Sequence, residues 1–221
     1  MKSAARMRLL ASSAAVVALA ASARADFING YAWVTTEAIS QNAAPASLAL
    51  ATCSHGTAAC TVGNADVSFT TTGVNFPLQG SGTIATWLAS STFPLNNLVD
   101  SAPNAALDPT IWEFVGNISV TSGETFTFGH DDGVTFIVNG QTVVNQPGPT
   151  GFVNTPGTYS GATSNNAPFQ LIYGECCGGG AGLSVTLLGP GSAPGVPEPA
   201  SVLLMSLGLA AILVLRRRTQ A

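Results

Sequence analysis

The middle of the chain consists of short runs in which apolar and polar residues alternate, separated by glycine, asparagine and proline. This alternation indicates half-buried β-strands, whereas the period of about 3.6 residues that marks an amphipathic helix is nearly absent. Asn139-Gly140 joins two of the runs at the spacing of a tight hairpin. The clearest predicted strands are residues 66–71, 83–88, 112–120, 124–128, 134–138, 141–145, 169–173 and 183–188. Residues 40–60, rich in Ala and Ser, give no clear prediction.

So many strands without intervening helices predict an all-β fold, a single antiparallel β-sandwich over residues 26–188. Residues 189–195, composed mainly of Gly, Pro and Ser, are predicted to be a flexible linker to a separate tail. Three Trp and three Tyr could stack on sugar rings. Because most of them lie within strand-like runs, we expect them in the core of the sandwich.

The N-terminus differs from this middle part. Residues 1–25 begin with a basic segment, continue with an apolar run and end on a small-x-small sequence. That order is typical of a secretory signal peptide, and it predicts cleavage between Ala25 and Asp26. Ala21-Ser22-Ala23 is a second candidate site two residues earlier.

The C-terminus carries a second apolar segment, residues 200–215, which ends at an arginine cluster formed by Arg216, Arg217 and Arg218. As a helix the segment would reach roughly 24 Å, against a hydrocarbon core of about 30 Å. Arginine side chains can snorkel and a bilayer can thin, so we predict one transmembrane helix here. The positive-inside rule then places the arginines in the cytoplasm and residues 26–195 outside it.

Pro197-Glu198-Pro199 stands just before this segment. Over residues 196–221, the order of Pro-Glu-Pro, short apolar helix and arginine cluster resembles the PEP-CTERM sorting signal of Gram-negative bacteria. The resemblance implies export, retention in the inner membrane and recognition by an exosortase-type enzyme near Pro-Glu-Pro. It leaves open whether the tail is cleaved and the protein released to the cell surface or matrix. It also implies an exopolysaccharide or biofilm context, and the same tail is described on some ice-binding proteins.

Charge is distributed unevenly along the chain. No Lys or Arg lies between Ala25 and Val196, whereas all acidic residues except Glu198 lie there, which gives this stretch a formal charge of 0 − 10 = −10. Binding to phosphates requires basic residues that displace counterions. Nucleic acids, phosphate-rich ligands and anionic membrane surfaces are therefore excluded as partners of this stretch. Cations and neutral polar ligands such as sugars remain.

Within residues 112–188 the motifs follow a recognisable order. A strand containing Gly116 precedes a Phe-x-Phe strand, Asp131-Asp132-Gly133, the Asn139-Gly140 hairpin, and a Tyr-x-Glu at Tyr173 before a glycine-rich turn and a last strand. This order resembles the PA14 β-sandwich, although the usual basic residues are missing and a Cys176-Cys177 pair is added. The resemblance implies a non-catalytic, glycan-binding or adhesive module.

Asp131 and Asp132 are the most distinctive acidic pair. Some PA14-like adhesins and lectins use such a pair to hold calcium, which in turn binds sugar hydroxyls, so the resemblance implies a Ca²⁺ site here. Calcium takes six to eight oxygen ligands, and an irregular loop can supply them. Alternatively, the pair forms a strand-entry turn in which the Asp side chains cap backbone N–H groups and Gly133 supplies a positive φ.

The residues offer no clear catalytic arrangement. Adjacent carboxylates on an extended strand point to opposite faces, whereas a retaining glycosidase needs two carboxyls about 5–5.5 Å apart on separate supports. The body of the chain contains only His55 and His130, and it has no G-x-S-x-G motif. We therefore predict that the protein is not an enzyme.

The four cysteines of an exported protein are expected to form disulfides rather than a metal site. One alternative pairs Cys53 with Cys60 and Cys176 with Cys177. The other connects Cys53 and Cys60 to the later pair and ties the poorly predicted region to the late strands. We slightly favour the local pairing, whose 176–177 bridge would join adjacent residues and could contact a ligand or be redox-labile.

Together with the two resemblances, these observations predict an exported cell-envelope or matrix protein that binds a glycan. The PEP-CTERM resemblance implies the cell's own exopolysaccharide as the partner, and the PA14 resemblance implies calcium as the cofactor. A structural matrix protein or an ice-binding-type protein without a specific ligand site is the alternative. A secreted hydrolase is the second alternative.

The charge distribution yields a first prediction. Residues 26–195 should resist trypsin even when unfolded, because trypsin cleaves after Lys and Arg and this stretch has neither. Mass spectrometry after digestion in urea at a concentration that trypsin tolerates should show one intact species. Chymotrypsin, which cleaves after aromatic residues, should digest the same sample. A tryptic fragment cut within residues 26–195 would contradict the prediction.

Overall fold

The computed structural model describes residues 27–53 and 62–185. Strands dominate this part of the chain, together with three short α-helices and one 3-10 helix, Val62–Asn64. The strands are β1 (Ile28–Val34), β2 (Val67–Thr71), β3 (Asn75–Gln79), β4 (Asn96–Asp100), β5 (Thr110–Val120), β6 (Thr125–Asp131), β7 (Gly133–Val138), β8 (Gln141–Gln146), β9 (Val153–Thr158), β10 (Ser164–Glu175) and β11 (Ala181–Val185). The helices are α1 (Glu37–Ser40), α2 (Pro45–Cys53) and α3 (Ile84–Ala89).

The strands form two sheets. One has seven strands in the order β4-β2-β1-β5-β10-β7-β8, and the other has four in the order β3-β11-β6-β9. Neighbouring strands pair antiparallel in both sheets. The prediction of an all-β fold is therefore confirmed for the described residues, all of which belong to one compact unit.

Aromatic side chains from both sheets fill the space between them. Phe76 on β3 lies 6.0 Å from Phe114 on β5, measured between ring centroids, and Phe128 on β6 lies 4.8 Å from Phe136 on β7. Trp87 of α3 stacks on Phe76 at 4.1 Å. All five side chains are fully buried. Because burial of such large rings provides the main favourable free energy, this aromatic layer holds the two sheets together.

The Asn139-Gly140 hairpin forms as the sequence predicts. The two residues connect β7 to β8 and have φ angles of 50° and 78°. Positive φ at both central residues is the requirement of the tight turn that matches the twist of two antiparallel strands, and Asn and Gly adopt it at low cost.

The prediction of a strand at residues 83–88 is wrong. Of these residues, 84–88 lie in helix α3 and Thr83 is the N-cap of that helix. Thr83 caps this helix, because its hydroxyl accepts from the Thr86 N–H while the Thr86 hydroxyl accepts from the Thr83 N–H. The side chains of Ile84, Trp87 and Leu88 are buried. Their i, i+3, i+4 spacing puts them on one helical face, and this spacing outweighs the apparent alternation.

The sequence also left some elements unassigned. β1, β3, β4 and β9 were not among the predicted strands, and neither was helix α1 predicted. The region without a clear prediction, residues 40–60, contains α2. These helices help to bury Trp33, Ile111 and Ile172 in a second, smaller cluster. β5 and β10 therefore carry buried apolar residues on both faces.

Within residues 27–53 and 62–185, no helix has the length and hydropathy that crossing a membrane requires. The predicted signal peptide (1–25), linker (189–195) and transmembrane helix (200–215) lie outside the described residues, and they stay predictions.

Truncation of the aromatic layer provides a test of the fold. Phe76→Ala should lower the free energy of unfolding by about 3–5 kcal/mol, because it removes a fully buried ring and leaves a cavity. Leu98→Ala, on the edge strand β4, removes a side chain that is 45% exposed and should change it by less than about 0.5 kcal/mol. Urea unfolding measures both values. If the two variants lost the same free energy of unfolding, Phe76 would not lie in the core shared by the two sheets.

Candidate carboxylate site

Asp131 and Asp132 lie where the chain passes from one sheet to the other. Asp131 ends β6 in the four-stranded sheet, and Gly133 begins β7 in the seven-stranded sheet. The peptide bond between the two aspartates is cis. Asp132 is buried and Asp131 is half-buried. The pair therefore lies at the edge of the sandwich, beside its core.

The Asp132 side chain accepts hydrogen bonds from two separate loops. Its Oδ1 accepts from the Thr150 N–H at 3.1 Å, and its Oδ2 accepts from the Cys176 N–H at 2.9 Å. The Asp131 carboxylate accepts from the backbone N–H of Phe152. Burial raises the pKa of both aspartates, and the charge of Asp132 adds to the effect on Asp131. The pair thus joins the loop before β9 to the turn after β10.

His130 supports the same turn from the core side. Its Nδ1 lies 2.5 Å from the carbonyl oxygen of Asp132, and its Nε2 lies 2.8 Å from the Thr155 hydroxyl. Because a carbonyl oxygen can only accept, Nδ1 carries the proton. Burial lowers the pKa of His130, so the ring is neutral at pH 7 and Nε2 accepts from the hydroxyl. With both nitrogens engaged and the ring fully buried, His130 positions the turn.

The turn after β10 holds three carboxylates from separate parts of the chain. Its successive backbone N–H groups each donate to a different acidic side chain. The pairs are Cys176 with Asp132 Oδ2 at 2.9 Å, Cys177 with Glu37 Oε2 at 3.2 Å, and Gly178 with Asp108 Oδ2 at 2.6 Å. Since no Lys or Arg occurs between Ala25 and Val196, backbone N–H groups perform the role that basic side chains have elsewhere.

Cys176 and Cys177, the first two residues of this turn, are joined by a disulfide. This bond belongs to the local pairing alternative. The side chains of Cys53 and Cys60 lie outside the described residues. Cys176 is buried and Cys177 is exposed, so the bridge lies at the protein surface beside the carboxylates.

Tyr173 and Glu175 extend the acidic group into the core. The Tyr173 hydroxyl donates to the carbonyl oxygen of Asp131 and lies 2.5 Å from Glu175 Oε2. Burial raises the pKa of Glu175 to about 9, and the charges of nearby aspartates add to the rise. Glu175 is therefore protonated at neutral pH, and its O–H donates to the Tyr173 oxygen. The neutral carboxyl lets the site hold a further acid without a further charge.

The predicted aspartates Asp131 and Asp132 lie in the site, together with acidic residues that the sequence did not indicate. Glu37 and Asp108 belong to the site because backbone N–H groups of the turn after β10 bind their carboxylates. No sequence motif surrounds either residue, so the sequence did not predict this role. Glu175 belonged to the Tyr-x-Glu motif, although its protonation depends on burial. Phe152 is 45% exposed beside Asp131. The Trp side chains and two of the three Tyr side chains that could have stacked on sugars are buried, as predicted from their positions in strand-like runs.

Comparison with known proteins covers the tail and the domain separately. Residues 195–218 match the PEP-CTERM protein-sorting motif. The structure is similar to a PA14 sugar-binding domain from an RTX adhesin, with a TM-score of 0.54 and 19% identity over 72% of this chain and 88% of that chain. It is also similar to the PA14 domain of the antifreeze protein MpAFP, with a TM-score of 0.54 and 16% identity over 77% and 84% of the two chains. No curated protein matches the chain. The predicted sorting motif and the PA14-like fold are thereby confirmed.

Glu175 makes stability depend on pH. Its raised pKa, about 9, means that the folded chain retains a proton that the unfolded chain loses above about pH 4.3. The contribution of the Glu175 proton to the free energy of unfolding is complete below about pH 4.3 and is lost as the pH rises toward about 9, the pKa of Glu175 in the folded chain. In a calcium chelator, the melting temperature should fall between about pH 7 and pH 9, and Glu175→Gln should reduce that fall.

Glu124→Gln serves as the matched control, because this carboxylate lies in a surface turn, where it accepts from the Thr121 N–H. The melting temperature of the Glu124→Gln variant should fall with pH by the same amount as that of the wild type. Identical profiles for Glu175→Gln and the wild type would contradict the protonated state of Glu175.

Proposed function

We propose that this protein is an exported, non-catalytic, adhesive protein whose PA14-like sandwich binds neutral glycans through calcium at Asp131 and Asp132. The observation that carries the proposal is the convergence of acidic side chains without a basic residue. Besides the aspartate pair, the group contains Glu37, Asp108 and Glu175. Carboxylates gathered in this way repel one another, and a divalent cation would remove much of that repulsion.

Carboxylate oxygens are the ligands that calcium prefers. Among the described residues, the potential ligand atoms that lie within 4.8 Å of one another belong to Glu37, Cys176 and Cys177. Asp132 lies beside this group, since it accepts from the Cys176 N–H. Asp108 Oδ1 is buried and has no hydrogen-bond partner among the described residues, so it remains available to a cation or to an ordered water. Asp131 and Asp132 would hold the ion. A bound calcium supplies a positive charge to which sugar hydroxyls can coordinate.

Charge favours a neutral glycan over an anionic one. Glu175 is protonated at neutral pH, but the other members of the group are carboxylates that outnumber the two charges of one calcium ion. A uronate or sulfate would meet this residual negative charge with no Lys or Arg to offset it. The exposed Phe152 ring beside Asp131 adds an apolar surface of the kind that sugar rings pack against.

Among residues 27–53 and 62–185, the geometry around His130 and Asp132 supports a binding role. His130 is buried with both ring nitrogens engaged, so it is not available as a general base. The carboxylate of Asp132 is fixed in place by two backbone N–H groups. The RTX-adhesin relative is described as a sugar-binding PA14 domain, which is consistent with the proposal.

The sorting motif supports the proposed location. A PEP-CTERM motif at residues 195–218 is consistent with export and with an exosortase-type partner. We propose that residues 200–215 anchor the mature chain in the inner membrane with the domain outside the cytoplasm, and that the glycan is a cell-surface exopolysaccharide. Release of the domain would follow cleavage near Pro197-Glu198-Pro199.

One observation favours a second candidate, a structural matrix protein without a ligand. Both carboxylate oxygens of Asp132 already accept backbone N–H groups. A strand-entry turn would need this arrangement even if no ion were bound.

Calcium titration separates the two candidates. For the mature chain in detergent, calcium at about a hundredfold above its Kd should stabilise the fold by about 2.7 kcal/mol and raise the melting temperature. Asp131→Asn and Asp132→Asn should each abolish that rise and any calcium-dependent binding on an array of neutral and anionic glycans. Glu124→Gln, remote from the group, should retain both. Equal melting temperatures in calcium and in chelator would exclude the ion and favour the structural protein.

A further inference from the structure

The Cys176-Cys177-Gly178 turn connects three segments that are far apart in the chain. Its N–H groups hold Asp132 of the β6–β7 turn, Glu37 of α1 and Asp108 of the loop before β5. The carboxylates of Glu37 and Asp108 both act electrostatically on Asp132. The turn therefore determines how closely these negative charges approach one another.

The conformation of the turn is unusual for the residues that form it. Cys177 has a φ of 69°, in the left-handed region that a side chain other than Gly adopts at a cost. Gly178 and Gly179 continue with φ values of 70° and 132°. The N–H of Gly178 is oriented by the dihedral angles of Cys177, so its bond to Asp108 depends on this conformation. A disulfide between adjacent residues closes a small ring that includes the Cys176–Cys177 peptide, and it restricts those dihedral angles.

We propose that the Cys176–Cys177 disulfide is a positioning element of the carboxylate site. In the oxidised protein it holds the turn in the conformation that donates to Glu37 and Asp108, and it thereby sets the affinity of the site for calcium. The inference rests on the calcium site of the proposed function. A dithiol reductant breaks the Sγ–Sγ bond: two electrons and two protons pass to the cysteines, giving two thiols, and the reductant becomes a disulfide.

The three contacts should respond unequally to reduction. Cys176 directly follows β10, whose ladder fixes its backbone, so its bond to Asp132 should persist. Cys177 and Gly178 lie beyond the ladder, and their N–H groups should leave Glu37 and Asp108 once the turn relaxes. With no basic residue nearby, the released carboxylates would move apart under their mutual repulsion. The cation would then meet a less organised set of oxygens.

The first test measures calcium affinity in both redox states. The mature chain carrying Cys53→Ser and Cys60→Ser, which keeps only the adjacent pair, is titrated with calcium in detergent by calorimetry. It is measured oxidised, after reduction with a dithiol that is then removed, and after reoxidation with oxidised glutathione. Loss of a charge-assisted hydrogen bond corresponds to a Kd about tenfold higher or more in the reduced protein, and reoxidation should restore the original value. An unchanged Kd overturns the proposal.

A matched variant assigns the effect to the right bridge. Cys176→Ser/Cys177→Ser keeps the other two cysteines, and it should bind calcium as weakly as the reduced protein with no response to reductant. If the Cys53→Ser/Cys60→Ser chain does not fold, the calcium Kd of the wild type is compared with that of Cys176→Ser/Cys177→Ser, and this comparison tests the same proposal. A redox response that persists in Cys176→Ser/Cys177→Ser overturns the proposal.

A second measurement does not involve calcium. In chelator, amide hydrogen exchange followed by NMR should accelerate on reduction at Cys177 and Gly178 and remain slow at Cys176. Amide exchange rates at Cys177 and Gly178 that do not change on reduction overturn the proposal. Failure of the proposed function is distinguishable, because the oxidised wild type would then bind no calcium at all. Failure of this inference alone leaves calcium bound with one affinity in both redox states.

Discussion

The constraint on which this structure depends is that its acidic groups must be stabilised without a single basic side chain between Ala25 and Val196. Carboxylates that approach one another in a partly buried site carry a large desolvation and repulsion cost. The protein offsets this cost with backbone N–H donors, which hold Asp132, Glu37 and Asp108, and with protonation, which neutralises Glu175. A cation is the remaining means of compensation.

The site and the aromatic core form one continuous structure. Tyr173 reaches the carbonyl oxygen of Asp131 with its hydroxyl and stacks on Trp87 with its ring, at 5.7 Å between centroids. Trp87 in turn stacks on Phe76 between the two sheets. His130 likewise extends from the core to the Asp132 carbonyl. The aspartate turn is thus supported by rigid neighbours, and rigid support is what a site needs if it is to present oxygens at fixed positions.

The tail and the turn are consistent with the same environment. The sorting motif at residues 195–218 indicates a protein that leaves the cytoplasm. Disulfides form and persist in the oxidising compartments outside it. A disulfide between adjacent cysteines can serve as a structural constraint only in such a compartment. Export therefore allows the chain to replace basic side chains with a constrained turn of backbone N–H donors.

The sequence by itself determined the features that depend on neighbouring residues and on composition: the Asn139-Gly140 hairpin, the sorting motif, the lack of Lys and Arg between Ala25 and Val196, and the Asp131-Asp132 pair. Only the tertiary structure decided which carboxylates join that pair. Cys177 and Glu37 are 140 residues apart in the chain, and Gly178 and Asp108 are 70 apart. Burial within the packed sandwich likewise decided that residues 84–89 are helical and that Glu175 keeps its proton. Local sequence patterns indicate the backbone conformation that a segment prefers. Contacts between residues 70 or 140 positions apart form only after the sheets have packed, and the desolvation of a side chain also follows that packing.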